Sequence, residues 1–485
     1  MNALVKVLEW PLAAEGEGST ALWDAISLAR AIKGTANADF RLSGVEIDSR
    51  DVVPGDLFFA LKGERMDGHR FVEMALQKGA AAVVVDRDCD GPSVRVNDTN
   101  GALEKLGAAA RARSRAKIIG VTGSVGKTGV KEVLFSALDR SSRGRAHRSV
   151  KSYNNHVGVP LSLARMPQRA RYGIFEMGMN HAGEIAALTR QVRPHVAVIT
   201  TIAPAHIEML GSEEAIADAK AEIFEGLEEG GIAVIPADSP HFERLRLAAQ
   251  ACGVRVVAFG AGSQAQVRLL DAVPAPGGGS LVTADMGDRR ICYTVGMPGE
   301  HWVANSLAIM AAVRAVGADL GAAGLALAEM SGLAGRGARH DIAAGEGQAL
   351  LIDESYNANP ASMRATLIEL GHEDASRRIA VLGAMKELGS HGERYHAQLA
   401  EPLRAAGVDF AILVGEEMAA LAQELGKSGG DTLGNAVPFA HCETVEQAVD
   451  SLRKIGPEAG DAILVKGSNS VGLANLVSAL TSKEG

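Results

Sequence analysis

From Lys117 onward the chain alternates short β-branched runs with helix-length segments, and that alternation leaves few folds open. Strands that recur after helical crossovers build parallel sheets with helices against their faces. IIGVTG, YGIFEMG, HVAVITT, GIAVIPA and VRVVAFG read as strands of one sheet. After the glycine-rich stretch GLAGRGAR, the runs ALLIDES, RRIAVLG, FAILVG and DAILVKG predict a second, smaller doubly wound sheet. The N-terminal part differs, with GVEIDS, DLFFAL and AAVVVD as short strands around turn signals such as Pro54-Gly55 and Asp67-Gly68. At roughly 100 to 200 residues per domain, 485 residues accommodate three α/β domains. The expected divisions are a mixed N-terminal domain over 1–112, a central parallel-sheet domain with a phosphate loop over 113–333, and a Rossmann-like domain over 334–485. Leu269 to Asp288, with PAPGGGS inside it, is expected to be a hairpin excursion within the central domain.

Charge and cysteine usage narrow the function classes. A formal net charge of −9 supplies no basic field to hold a polyanion, so nucleic acid is not an expected partner. Cys89, Cys252, Cys292 and Cys442 are scattered, without the spacing of a disulfide framework or zinc site, which fits a reducing compartment. The opening MNALVKVLEWPLAAEGEG has Glu9 within its apolar stretch and lacks the basic-then-apolar order of a signal peptide. No run reaches the roughly 18 apolar residues of a membrane helix; Leu307 to Val316 is broken by Arg314. A cytoplasmic protein without an integral membrane segment is therefore expected.

The strongest local signal is GVTGSVGKT, Gly120 to Thr128, which follows a strand and opens the helical run KTGVKEVLFSAL. A glycine turn leading into a helix N-terminus is an anion site, because unpaired backbone N–H groups and the helix dipole converge there. The expected ATP contacts run through Thr122, Gly123, Ser124, Val125, Gly126, Lys127, Thr128 and Gly129. Lys127 would reach the β- and γ-phosphates, and the Thr128 hydroxyl would ligate Mg²⁺. Val121 stands where the longer phosphate-loop pattern has glycine, while the core from Gly123 to Thr128 is intact. An ordinary glycine turn with a solvated lysine is the alternative. The loop leaves kinase, hydrolase, switch and ligase chemistry all open.

Further residues bear on that choice. Glu176 ends the strand YGIFE, where a carboxylate either faces a ligand crevice or stands in solvent. His206 follows the strand HVAVITTI, where a lone histidine is more often structural. Lys220, on the acidic segment EEAIADAKAEIFEGLEEG, reads unaided as a solvated lysine paired with Glu213, Glu214 or Glu228. His301 and Asn305 lie four apart on an otherwise apolar helix and share one face. In DESYNANP a strand end meets a turn, with Asn359 an expected N-cap and Pro360 the first helical residue.

Taken with the loop, YNNHVGVP (153–160), FEMGMNHAGEI (175–185), TIAPAHIEMLGS (201–212), ADAKAEIFEGL (217–227), GEHWVANSLAIMAA (299–312) and IDESYNANPASM (352–363) resemble the Mur ligase family. The resemblance runs from about Asp48 to Gly472, and the YNANP and NNHVGVP blocks are most similar to the branch that adds D-alanyl-D-alanine. It implies an ATP-dependent ligase, monomeric, using two Mg²⁺ ions and joining D-alanyl-D-alanine to UDP-N-acetylmuramoyl-tripeptide through an acyl phosphate. By position in the family, Glu176 joins Thr128 on one Mg²⁺, and His206 holds the second together with Lys220 in carbamylated form. His301 and Asn305 face adenine, Arg336 closes on the γ-phosphate, and Asp353, Glu354 and Asn357 complete the nucleotide pocket. DSRDVVPGDLFFALKGERMDGHRF (48–71) is similar to the family's uridine-diphosphate segment, with Ser49 and Arg50 as contacts and Asn154 and Asn155 at the sugar or pyrophosphate. Ala384 and Asn469 depart from the family's pattern in the domain expected to receive the dipeptide.

Overall fold

Three sheets, each flanked by helices, organise the chain, in keeping with the three-domain α/β class the sequence implies. The computed structural model describes residues 21–63, 66–205, 207–276, 278–427 and 436–482. By contacts these fall into two compact units: the described residues up to Ser114 with Pro160–Gln168, and Arg115–Val159 with the described residues from Arg169 on.

The first unit has a short pair, β1 (Trp23–Asp24) with β3 (Arg41–Leu42), and a five-stranded sheet of order β2-β7-β6-β5-β4. Those strands are β2 (Thr35–Ala36), β4 (Gly44–Glu46), β5 (Asp56–Phe59), β6 (Ala82–Val85) and β7 (Ser93–Arg95), parallel except where β2 meets β7. Every residue of β5 and β6 is buried, as parallel strands covered on both faces require. Pro160–Gln168 is tied in by Trp23 Nε1, which donates to the Ala164 carbonyl at 3.2 Å, and by Arg165, whose Nε donates to the Val45 carbonyl at 2.6 Å and whose guanidinium pairs with Glu46.

In the second unit, a nine-stranded sheet has the order β16-β15-β14-β13-β12-β11-β8-β10-β9. Its members are β8 (Lys117–Thr122), β9 (Ala146–Arg148), β10 (Tyr172–Glu176), β11 (Val196–Ile199), β12 (Ile232–Pro236), β13 (Arg255–Gly260), β14 (Val267–Pro274), β15 (Ser280–Asp285) and β16 (Arg290–Val295). The five expected strands are its centre. β8 lies between β10 and β11, so the chain leaves it to one side and later returns on the other. The loop after β8 thus opens at a topological switch point, where open α/β sheets bind ligands. The expected hairpin is the antiparallel pair β14 and β15, and with β16 it extends this sheet. Val267, Val282, Ala284, Tyr293 and Val295 alternate inward to a core shared with Leu307 and Ile309 of the helix Glu300–Ala315, so these strands are integral. That helix, the most apolar in the sequence reading, is a core element; no helix among the described residues is long and apolar enough to cross a membrane.

The third sheet has the order β17-β18-β22-β19-β20-β21. It comprises β17 (Ala338–Ala344), β18 (Gly347–Glu354), β19 (Arg377–Gly383), β20 (Phe410–Val414), β21 (Phe439–Cys442) and β22 (Asp461–Lys466), parallel except for β17. The four expected strands form its interior, and both edges went unread.

Candidate active site

The phosphate loop is fixed by backbone and hydroxyl contacts before any ligand is considered. Ser124 N donates to the Thr201 carbonyl at 2.8 Å, Ser124 Oγ to the Ala203 carbonyl at 2.9 Å, and Thr200 Oγ1 to the Val125 carbonyl at 2.5 Å. Glycine is required at Gly123, where φ is +144° and a Cβ would stand 1.9 Å from Thr200 Oγ1. Gly126, at φ +85°, starts the helix Lys127–Ser142 without any side-chain cap, so its first N–H groups have no side-chain acceptor there. Val121 is fully buried inside β8, and the turn begins only at Gly123, which is why the longer glycine pattern is dispensable.

Around this loop lies a cavity of about 600 Å³, within the usual range for a small-molecule site. Ser124, Val125, Gly126, Lys127 and Gly129 line it, as do Asn154, Glu176, Lys220, His301, Asn305, Arg336, Glu354 and Asn357. Residues drawn from Ser124 to Lys466 thus converge on one space. Thr122, Gly123, Thr128, Asn155 and Asp353 are not among its lining residues.

Glu176 ends β10 and is 1% exposed, which rules out the solvent-facing reading. Its Oε2 accepts from Thr128 Oγ1 at 2.9 Å and its Oε1 from Asn154 Nδ2 at 2.9 Å. A hydroxyl and a carboxylate at the foot of a phosphate loop are hard oxygen donors of the kind Mg²⁺ takes alongside phosphate and water. No cluster of three or more His, Cys, Asp or Glu suited to a metal occurs among the described residues. His206 lies outside the described residues.

Lys220 overturns the solvated reading. It sits near the end of the helix Glu213–Ala221, is 2% exposed, and has no hydrogen-bond or ion-pair partner among the described residues. Burial, reinforced by the charge of Lys127, pulls its pKa well below the ordinary lysine range. Lys127 is also lowered by burial; Glu176 works against that shift and Arg336 adds to it. Lys127 Nζ donates to the Gly123 carbonyl at 2.7 Å.

The helix Glu300–Ala315 brings His301 and Asn305 to the cavity on one face, as their spacing predicted. Asn305 packs against the loop, since a Cβ on Gly126 would lie 2.9 Å from its Nδ2. Burial, with a further push from Lys466, lowers the His301 pKa to about 4, so the ring is neutral near pH 7. Arg336 is no free linker arginine. Its guanidinium lies 4.1 Å from the centre of the Tyr356 ring and reaches Ser152 Oγ at 3.5 Å.

Asp353 is turned to structural use. Its carboxylate accepts from Gly335 N at 2.7 Å and from Ser355 N and Oγ at 3.1 and 2.6 Å, pinning the loop that carries Arg336. Asn155 accepts from Val157 N and Gly158 N at 3.2 and 2.9 Å, the hydrogen bonds of a local turn. Asn359 is the expected N-cap, forming a capping box with Ser362, and also lines the cavity. In the first unit, Ser49 is buried with its hydroxyl 3.4 Å from Met74 Sδ, while Arg50 is exposed and bonded to Asp48 at 2.6 Å.

Sequence reasoning missed two buried lysines. Lys131, one helical turn beyond Lys127, is fully buried, donates to the carbonyls of Ser149 and Lys151 at 3.2 and 2.5 Å, and lies 4.0 Å from Glu176 Oε2. Its spacing from Lys127 was the available signal. Lys466 ends β22 and lines the cavity at 2% exposure.

Three segments of the chain match known families: residues 121–313 the Mur ligase middle domain, 338–469 the Mur ligase glutamate ligase domain, and 41–95 the Mur ligase family catalytic domain. The UDP-N-acetylmuramoyl-tripeptide--D-alanyl-D-alanine ligase of Escherichia coli (strain K12) is 35% identical over 447 residues, 91% of this chain and 94% of that one. The ligase of the same name from Bacillus subtilis (strain 168) is 33% identical over 463 residues, 93% of this chain and 96% of that one. A crystal structure of MurF from Acinetobacter baumannii aligns with a TM-score of 0.80 at 30% identity, covering 95% of this chain and 99% of that one. MurF ligase from Thermotoga maritima in complex with ADP aligns at 0.72 and 25% identity, covering 90% and 97%.

Proposed function

The chain belongs to the Mur ligase family of ATP-dependent ligases, and from that premise we propose that it joins D-alanyl-D-alanine to UDP-N-acetylmuramoyl-tripeptide, releasing ADP and phosphate. One observation supports this reading most. A single cavity collects the uncapped helix start at Lys127, Glu176, whose carboxylate accepts from Thr128 just behind the lining, and Arg336 with Glu354 and Asn357, so a nucleotide held by the loop would be met from the third sheet as well.

On this reading the loop N–H groups and Lys127 hold the β- and γ-phosphates, and Arg336 approaches from the Gly335–Gly337 turn. An oxygen of the tripeptide's terminal carboxylate attacks the γ-phosphorus; the bond to the β-phosphate oxygen breaks and ADP leaves. The dipeptide amine then attacks the acyl carbon, a tetrahedral intermediate collapses, the C–O bond breaks and phosphate departs as the amine gives up a proton. The chain's own residues mainly position reactants and neutralise charge. Thr128 and Glu176 would hold one Mg²⁺, and carbamylated Lys220 with His206 a second; bound there, the ions would offset charge on the transferring phosphoryl group. The state of Lys220 supports the carbamate. An amine must be neutral to attack CO₂, and this one is buried, unpartnered among the described residues and beside a second cation. Short carboxylic acids should then partly restore a Lys220→Ala variant.

Residues 1–112, 113–333 and 334–485 serve as the UDP-substrate, ATP and acceptor domains in this scheme, with Ser49, Arg50, Asn154 and Asn155 toward the UDP-sugar. The enzyme acts as a cytoplasmic monomer. Phosphate release, measured with each substrate omitted in turn, is the test. It should require ATP, the UDP-muramoyl tripeptide and the dipeptide together. Release from ATP alone at the same rate would point to a nucleotide-driven switch.

A further inference from the structure

Lys466 is a buried ammonium that the mechanism above does not use. It ends β22, an interior strand of the third sheet, directly opposite Glu354 at the end of the parallel strand β18. The two residues therefore meet at the carboxyl edge of the sheet, where such folds place their ligand crevice. Lys466 Nζ lies 3.3 Å from Glu354 Oε2 and donates to the Asn357 carbonyl at 3.0 Å. An ammonium enclosed to this degree costs several kcal/mol unless paired, and these two acceptors offset that cost. They belong to one short turn, Glu354 to Asn359.

That turn carries much of what the third sheet brings to the cavity. Tyr356 supports the Arg336 guanidinium at 4.1 Å, and its N–H donates to the Gly335 carbonyl at 3.0 Å. Asn357 and Asn359 line the cavity, and Asn359 also caps the helix Pro360–His372. One cation thus anchors the turn at Glu354 and again at Asn357, with the arginine's stacking partner between them. Resting on the assignment of the cavity as the nucleotide site, we propose that Lys466 is a positioning residue for nucleotide binding, acting through Glu354 and the turn that follows it. Without the lysine the Glu354 carboxylate loses its counter-charge at the edge of a site meant for a polyphosphate, and the turn loses its internal clamp.

The test uses the full chain and ADP as the probe, with binding measured by calorimetry and initial rates by phosphate release. Lys466→Met, which keeps the stem and removes the charge, should weaken ADP binding by about tenfold or more, as loss of a partner from a buried pair predicts. KM for ATP should rise in parallel while KM for the UDP-linked substrate stays put. Adding Glu354→Gln to Lys466→Met should recover part of the lost affinity, because it removes the stranded carboxylate; a lysine that merely supports the fold would give additive losses. Undiminished ADP binding by Lys466→Met, or a double variant weaker by the product of the single effects, overturns the proposal. Should Lys466→Met fail to fold, Glu354→Gln alone must weaken ADP and leave the UDP-substrate KM unchanged, and no change there overturns it equally. Absence of ADP binding by the unmodified protein would instead refute the nucleotide assignment itself.

Discussion

Replacing Lys220 by methionine separates two properties that the structure ties to one side chain. Methionine has a similar reach and no charge, so it fits a position only 2% exposed. In metal-free, CO₂-free buffer the native lysine has no partner among the described residues, and burial and Lys127 hold its pKa well below 10.5. Between that lowered folded value and 10.5 the unfolded chain binds one more proton at this site than the folded chain. Unfolding there takes up a proton, so raising the pH stabilises the fold by up to about 1.4 kcal/mol per unit. Below the folded pKa and above 10.5 this contribution is flat. Methionine has nothing to titrate, and the slope due to this site should vanish. At pH 7 the variant should also be more stable by roughly 1–3 kcal/mol, the usual mutational cost of an unpaired buried polar group. Urea unfolding at pH 7, 8 and 9, followed by far-UV circular dichroism and by tryptophan fluorescence, reads both quantities, and Trp302, buried against the phosphate-loop helix at Gly129, contributes to the fluorescence change. Turnover should move the other way and fall by about a hundredfold or more if the lysine, once carbamylated, holds a metal. A variant with native turnover, or one that keeps the native pH slope, would refute the account of Lys220 as a buried amine held ready for modification.

Three further outcomes follow from the same cavity. Lys127→Ala should cut phosphate release at least about a hundredfold, in the range seen when one electrostatic donor is lost; near-native release would remove the loop from the chemistry. Gly123→Ala should abolish ADP binding and destabilise the protein by about 2 kcal/mol or more, since φ is +144° and the new Cβ would collide with Thr200 Oγ1, and a stable, ADP-binding variant would contradict this. The His301 ring should titrate near pH 4 in a proton NMR titration assigned with His301→Gln, so it gains charge only in acid and leaves ADP binding unchanged by its own titration from pH 6 to 8; a midpoint near 6.5 would contradict its burial.

What was legible in the sequence was local. The phosphate loop, the N-cap at Asn359 and the pairing of His301 with Asn305 all rest on spacings within one turn or one helix face, and the structure places them as spaced. The interior strands were legible because burial on both faces forces unbroken apolar runs. Edge strands carry no such run: AHR, ARHDIAA and FAHC at β9, β17 and β21 mix charge with small residues. The burial of Lys131, Lys220 and Lys466 was illegible for another reason. A lysine's burial is decided by what packs on it from distant sequence: the carbonyls of Ser149 and Asn357 that meet Lys131 and Lys466 come from other segments, and Lys220 lines a cavity built from many.

Asp353 and Glu354 fall between those cases, and their separation was recoverable. Successive residues of a strand face opposite sides, so two acids in a row at the end of β18 meet different neighbours. The alternation does not say which of the two is inside. That is settled by Gly335, whose N–H reaches back to Asp353 and draws it under the Arg336 loop, leaving Glu354 to meet Lys466 at the cavity. The alternation gives the two acids different surroundings, and the partner that engages Asp353 lies 18 residues upstream in a glycine turn at φ +71°.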